Sequence, residues 1–257
     1  MTKLYSKNEL IFAIVSILIY VLGSSVCDIF SDMVGISKIF TFPFLLVLSL
    51  MLFIWIKRQK LMTKYGLCKP KFSAKNFLLY IPLLILISTN FWFGVKLNFS
   101  LLESVLNVLS MLCVGFAEEI IFRGFLFRAM EKDNLKSAII VSSVTFGFGH
   151  IINLFLCGFK NPVSNICQIF YAIAVGFLFV IIFYKGGSLL ACIITHSLVN
   201  ATSVFQNTQV VHGMVEVLLS VIITIVAIVY SIILIKTLTN QSKNLQSNEQ
   251  SNDNTST

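Results

Sequence analysis

Val114-Gly115-Phe116-Ala117-Glu118-Glu119-Ile120-Ile121-Phe122-Arg123-Gly124 closes an apolar run that begins at Leu101. The run is long enough to cross a bilayer, because about 20 residues at a rise of roughly 1.5 Å each span about 30 Å of hydrocarbon. Yet it ends in two adjacent carboxylates and an arginine. An ionised carboxylate placed in lipid without partners costs at least about 2.5 kcal/mol, even on the most lenient insertion scale. The fold must therefore cross a membrane and also supply those groups with partners inside protein.

The rest of the chain has the same character. Hydrophobic residues make up 57% of the 257 and charged residues 12%, against about 25% charged in a soluble domain. Eight apolar stretches reach spanning length or approach it, at residues 10–30, 40–56, 77–95, 101–122, 137–157, 166–184, 188–203 and 215–234. The expected architecture is all-α, a polytopic transmembrane helical bundle of about eight spans. Of the 19 lysines and arginines only Lys38, Lys96 and Lys160 fall in segments on one side, the remainder on the other. That asymmetry places both termini in the cytoplasm of a multi-pass cell-membrane protein and assigns the net charge of +8 to lipid headgroups, not nucleic acid.

Residues 1–236 read as one membrane domain. Residues 237–257, rich in Ser, Asn and Gln, have too little apolar surface to fold and read as a disordered cytoplasmic tail. The N-terminal run lacks a small-residue cleavage site and reads as a retained helix. The six cysteines form no CxxC pair and read as small apolar residues.

With so few polar residues, each can be questioned separately. Arg123 follows Glu119 by four positions, so a helix sets them on one face as an ion pair. Adjacent helical residues diverge by about 100°, which turns Glu118 toward a different surface. His150 ends Phe146-Gly147-Phe148-Gly149-His150, where Phe146 shares its face and the glycines admit a neighbouring helix or a bend. Asn153 lies one turn onward. His196 and Asn200 share a face at the same i,i+4 spacing, whereas His212 lies in a short segment outside the spans. Each motif also has a structural reading: glutamates that snorkel to the interface, a hydrogen-bonded core histidine, or an interhelical His–Asn contact. Gathered together, an acid, two imidazoles and an amide can activate water for hydrolysis or conduct protons.

The EExxxR run at Glu118 to Arg123, the FxxxH run at Phe146 to His150 and the HxxxN run at His196 to Asn200 resemble, in order and placement, the CPBP intramembrane proteases. That group includes the CAAX prenyl endopeptidases and the bacterial Abi or bacteriocin-immunity proteins. The resemblance covers residues 100–205 directly. It implies an endopeptidase acting on a membrane-associated, prenylated or bacteriocin-like peptide, with Glu118 and His150 polarising water and His196 and Asn200 stabilising the oxyanion. Glu119 and Arg123 look like the family's structural pair. It also leaves two versions of the chemistry. One is a metalloprotease with Glu118, His150 and His196 as the three ligands of a catalytic zinc. The other is a glutamate-type enzyme without metal, toward which the lack of an HExxH motif points. A non-enzymatic immunity or scaffold protein and a proton-coupled transporter are the alternatives of other classes.

Overall fold

The structure is a computed structural model that describes residues 1–151 and 162–255, with side chains described as far as Leu238. Among the described residues the architecture is all-α, with a single isolated bridge between Val95 and Gln206. The helices are α1 (Thr2–Lys7), α2 (Glu9–Val34), α3 (Thr41–Arg58), α4 (Ile81–Ser88), α5 (Leu101–Met130), α6 (Leu135–Gly149), α7 (Pro162–Gly186), α8 (Leu190–Ser203) and α9 (Met214–Thr255). Local chemistry sets several boundaries. The Asn8 side chain accepts from Ile11 N at 2.9 Å to start α2, and Asn134 accepts from Ser137 N at 2.9 Å to start α6. Ser100 and Glu103 form a reciprocal capping box at the head of α5.

Among the described residues six helical stretches, one of them the interrupted Ala74–Phe91 around α4, are long and apolar enough to cross a membrane, fewer than the eight expected from hydropathy. The expected spans at 137–157 and 188–203 are instead α6 and α8, of 15 and 14 residues. At about 1.5 Å per residue neither reaches the roughly 30 Å of the hydrocarbon core. Asn153, Cys157 and Lys160 lie outside the described residues. The span expected at 77–95 is interrupted as well. A tight helical turn over Ala74–Tyr80 precedes α4, with Leu78, Leu79 and Tyr80 at φ of 50°, 52° and 58°. Pro82 then occupies the first turn of α4, where its missing N–H leaves no bond unmade. The backbone of α9 stays helical through the polar run to Thr255, a run in which composition alone leads to no secondary structure.

The short helices pack against the two most buried long ones, α5 and α7. α8 packs along α5, α6 packs between α7 and the end of α5, and α9 covers α7 from outside. Glycine permits the first two contacts. A Cβ added to Gly115 in α5 would lie 2.5 Å from the Ser197 backbone nitrogen, and one added to Gly147 in α6 would lie 3.0 Å from the Ile169 carbonyl oxygen. Gly149 has open space instead. Ser197 Oγ donates to the Leu112 carbonyl at 3.1 Å, so the α5–α8 approach is also hydrogen-bonded.

The two ends of the bundle differ. At one end Lys64 Nζ reaches both Glu9 and Tyr5 at 2.8 Å, and Arg128 Nε donates to the Lys64 carbonyl at 3.1 Å. Burial opposes the charge on Lys64, yet its bonds to Glu9 and Tyr5 prevail and its pKa is raised. Leu189 N donates to the Gly66 carbonyl at 2.8 Å, bringing the α7–α8 turn to the same end. At the other end Lys38 pairs with Asp28 at 2.7 Å, and Asn98 donates to the carbonyls of Val204 and Gln206. The lysine- and arginine-rich connections thus meet at one end, and the segments that hold Lys38 and Lys96 form the other.

Gly115→Ala is expected to wedge α5 from α8 and to lower stability by about 1–3 kcal/mol, the usual range for overpacking. The unfolding midpoint of purified protein in detergent checks this.

Candidate active site

The apolar sequence around Glu118 and Glu119 builds a helix whose geometry changes at the glutamates. From Glu119 to Phe127 the turn widens to a π-helix, and all nine of its residues are buried. Such widened turns often occur where side chains are aimed at a site. Here the widening begins at the second glutamate.

Arg123 Nη1 donates to Glu119 Oε1 at 3.0 Å, and both side chains have 0% exposure. Two charges withdrawn from water need further partners, because their mutual attraction alone does not offset their desolvation. The partners are aromatic and imidazole groups. The guanidinium lies 3.9 Å from the centre of the Phe146 ring, a cation–π contact in a dry environment. Glu119 Oε1 is also 2.8 Å from Nδ1 of His196. One buried ion pair in α5 therefore holds Phe146 of α6 and His196 of α8.

Glu118 points elsewhere. Its Oε1 accepts from the Tyr20 hydroxyl at 2.6 Å, a short bond of the kind formed to a charged acceptor. Its Oε2 stands 3.5 Å from Nε2 of His196 and accepts no hydrogen bond from the described residues, leaving it available to a third group. The His196 ring consequently lies between the two carboxylates. With Glu119 receiving the proton on Nδ1, a neutral ring offers only a lone pair at Nε2; for Nε2 to donate, the ring must carry both protons.

Glu118, His150, His196 and Asn200 all line one cavity of about 460 Å³, together with Tyr20. Glu119 and Arg123 stand behind its wall. His150 caps the end of α6, its ring edge-on to Phe146 with centroids 5.7 Å apart, and Phe146 meets His196 in the same manner at 5.5 Å. Phe146 is thus the common surface of Arg123, His150 and His196. Asn153, the proposed companion of His150, lies outside the described residues. Phe122 and Phe179 are the lining residues of α5 and α7 nearest the Lys64 and Arg128 end of the bundle.

Three groups carried no motif in the sequence. Tyr20 is a lone phenol in the first apolar run, and only the fold brings it to Glu118. Asn90 lines the cavity and donates to the Val199 carbonyl and Thr202 Oγ1, both at 2.8 Å. Ser110, fully buried, lies two helical turns before Glu118 on the cavity wall, with a hydroxyl that has no partner within the protein. A polar residue at helical spacing from Glu118 was the available signal for Ser110. Tyr20 and Asn90 had none.

Among the described residues no three His, Cys, Asp or Glu side chains converge as a metal site. Glu118, His150 and His196 share a cavity without forming a ligand set. Glu118 Oε1 is engaged by Tyr20 and His196 Nδ1 by Glu119, which leaves Glu118 Oε2 and His196 Nε2 as the atoms turned toward a third group.

A buried acid–imidazole cluster opening on a cavity within a multi-pass helical membrane protein is consistent with an intramembrane hydrolase. Residues 100–202 match the family described as type II CAAX prenyl endopeptidase Rce1-like. The matched segment runs from the α5 cap nearly to the end of α8; it includes both glutamates, Arg123, His150, His196 and Asn200, and leaves out Tyr20. No curated protein and no solved structure matches the chain.

Arg123→Leu is expected to strand Glu119 in the bundle interior and to cost about 3–5 kcal/mol, the penalty for removing one partner of a buried pair. Unfolding in detergent, compared with the double variant Arg123→Leu/Glu119→Leu, checks this. The double variant should recover much of the loss, because it removes the orphaned charge.

Proposed function

We propose that the protein is an intramembrane endopeptidase of the CPBP type, working by carboxylate- and imidazole-activated water without a step through metal. The observation that carries this reading is the meeting of Glu118, His150, His196 and Asn200 on one cavity deep in an apolar bundle. Glu118 Oε2 accepts a proton from water held between it and His150, and that water attacks a peptide carbonyl positioned above the aromatic floor. With both ring nitrogens protonated, His196 donates from Nε2, beside the Asn200 amide, to the developing oxyanion; collapse of the intermediate then breaks the C–N bond, and Glu118 returns its proton to the leaving amine. In a cavity shielded from bulk solvent such donors act more strongly than they would in water. The Glu119–Arg123 pair holds the imidazole by Nδ1, so that Nε2 keeps its direction through the reaction.

Tyr20 has a supporting part. Its hydroxyl occupies Glu118 Oε1, which leaves Oε2 as the oxygen that meets water. The protein lies in the cell membrane with both termini cytoplasmic, and the substrate is a membrane-associated peptide. A transporter would need a polar route to both ends of the bundle. Toward the basic end the last lining residues on α5 and α7 are the apolar Phe122 and Phe179, which supports the enzyme.

Glu118→Gln keeps the size and most hydrogen bonds of the side chain while removing the base. Purified in detergent, it should remain folded and lose cleavage of a membrane-associated peptide. Turnover equal to the unsubstituted protein would refute the hydrolase. His196→Ala should lower kcat by about 10²–10³, the usual cost of one oxyanion donor, with the rate measured under saturating peptide.

A further inference from the structure

The cavity has a direction. Its aromatic floor, Phe122 and Phe179, faces the end of the bundle where Lys64, Arg128 and the α7–α8 turn meet. Its other lining residues climb toward the opposite end along every wall. On α2 they run from Tyr20 through Ser24 to Asp28; on α8 they run from His196 through Asn200 to Ser203, with Gln206 beyond the helix. Thr41 at the start of α3, Lys38 just before it and Glu216 near the start of α9 complete the rim. These are the helix ends that the segments bearing Lys38 and Lys96 join.

Chemistry at the rim suits a polypeptide. Asp28 is bound by Lys38 at 2.7 Å and Glu216 by Ser164 at 2.6 Å, so the described acids are already engaged within the protein. Neutral amides stand between them: Gln206 Nε2 donates to Asn90 Oδ1 at 3.2 Å, and both line the cavity. Amide side chains both donate and accept, matching the alternating groups of an extended backbone.

Resting on the endopeptidase reading above, we infer that the substrate reaches Glu118 from the non-cytoplasmic face, as an exported or surface-adsorbed peptide. Lysines and arginines concentrate at the floor end, and the bias of these residues toward the cytoplasm sets orientation. The rim therefore opens to the outside. A lipidated C-terminal tail on a cytosolic protein would approach the basic end, away from the rim. The cavity is a well sunk from the outer surface, with hydrolysis at its bottom.

Sealed right-side-out and inverted membrane vesicles test the inference. In a full-length chain with its six cysteines replaced, Ser25→Cys places a thiol on the cavity wall and Lys69→Cys places one at the basic end. A membrane-impermeant maleimide should label Ser25→Cys in right-side-out vesicles with loss of labelling on inversion, and Lys69→Cys in the opposite way. Labelling of both from the same face, labelling of Ser25→Cys from the inverted side only, or its labelling from neither side overturns the inference. A second arm keeps the native cysteines and adds an impermeant fluorogenic peptide to each vesicle type and to detergent-solubilised protein. Cleavage in detergent and in right-side-out vesicles alone is expected. Cleavage in detergent and in inverted vesicles alone overturns the direction of approach. Absence of cleavage in detergent refutes the hydrolase instead, while the labelling still decides which face the cavity opens on.

Discussion

Arg123 carries a permanent charge on a side chain with no exposure, in a bundle whose outer surface is apolar. A guanidinium in that position must find its counter-charge and its remaining contacts inside protein, and it finds them on three different elements. Glu119 lies one turn back on the same helix, the Phe146 face comes from α6, and Phe179 of α7 lies 5.7 Å away. His196 completes the set from α8 through Glu119. Each contact fixes where a helix can sit. Because a low dielectric strengthens attraction and penalises any group left unpaired, the arrangement is intolerant of partial formation.

That constraint also separates two kinds of charge. Glu119 is committed to Arg123 and His196, whereas Glu118, its neighbour in sequence, faces the cavity with one oxygen held by Tyr20. The angle between successive residues achieves this without any turn or loop. The π-helical widening from Glu119 onward then carries the buried side of α5 through nine consecutive enclosed residues, more than a regular amphipathic helix would hide. The long helices α2 and α9 face outward with many exposed apolar side chains, while the histidines of the site ride on the short helices α6 and α8.

Much of this was legible at particular residues. The i,i+4 spacing of Glu119 and Arg123 leads to their contact, since no other element is required to bring them together. Phe146 and His150, and His196 and Asn200, share helix faces for the same reason. The apolar stretches locate the starts of the helices to within a few residues, while α5 and α9 run on well past theirs. Hydropathy overcounts the membrane spans because it registers apolar content and not length in a helix: α6 and α8 are apolar but stop at 15 and 14 residues. Gly147 and Gly149 look alike in sequence, yet only Gly147 has a neighbouring backbone against it. The break before α4 carries three residues with positive φ that no glycine announces.

Sequence alone determined that this chain lives in a membrane, which of its residues are too polar to be there without cause, and which of those pair along one helix. Such conclusions need only composition and the helical repeat, both local properties. Tertiary structure decided that His196 stands between two carboxylates, that Tyr20 from the first span holds Glu118, and that Glu118, His150, His196 and Asn200 line one cavity. Those facts depend on helices distant in sequence meeting at particular depths. Depth is set by the packing of small residues and by the need of buried charges for partners, and neither leaves a periodic mark on the chain.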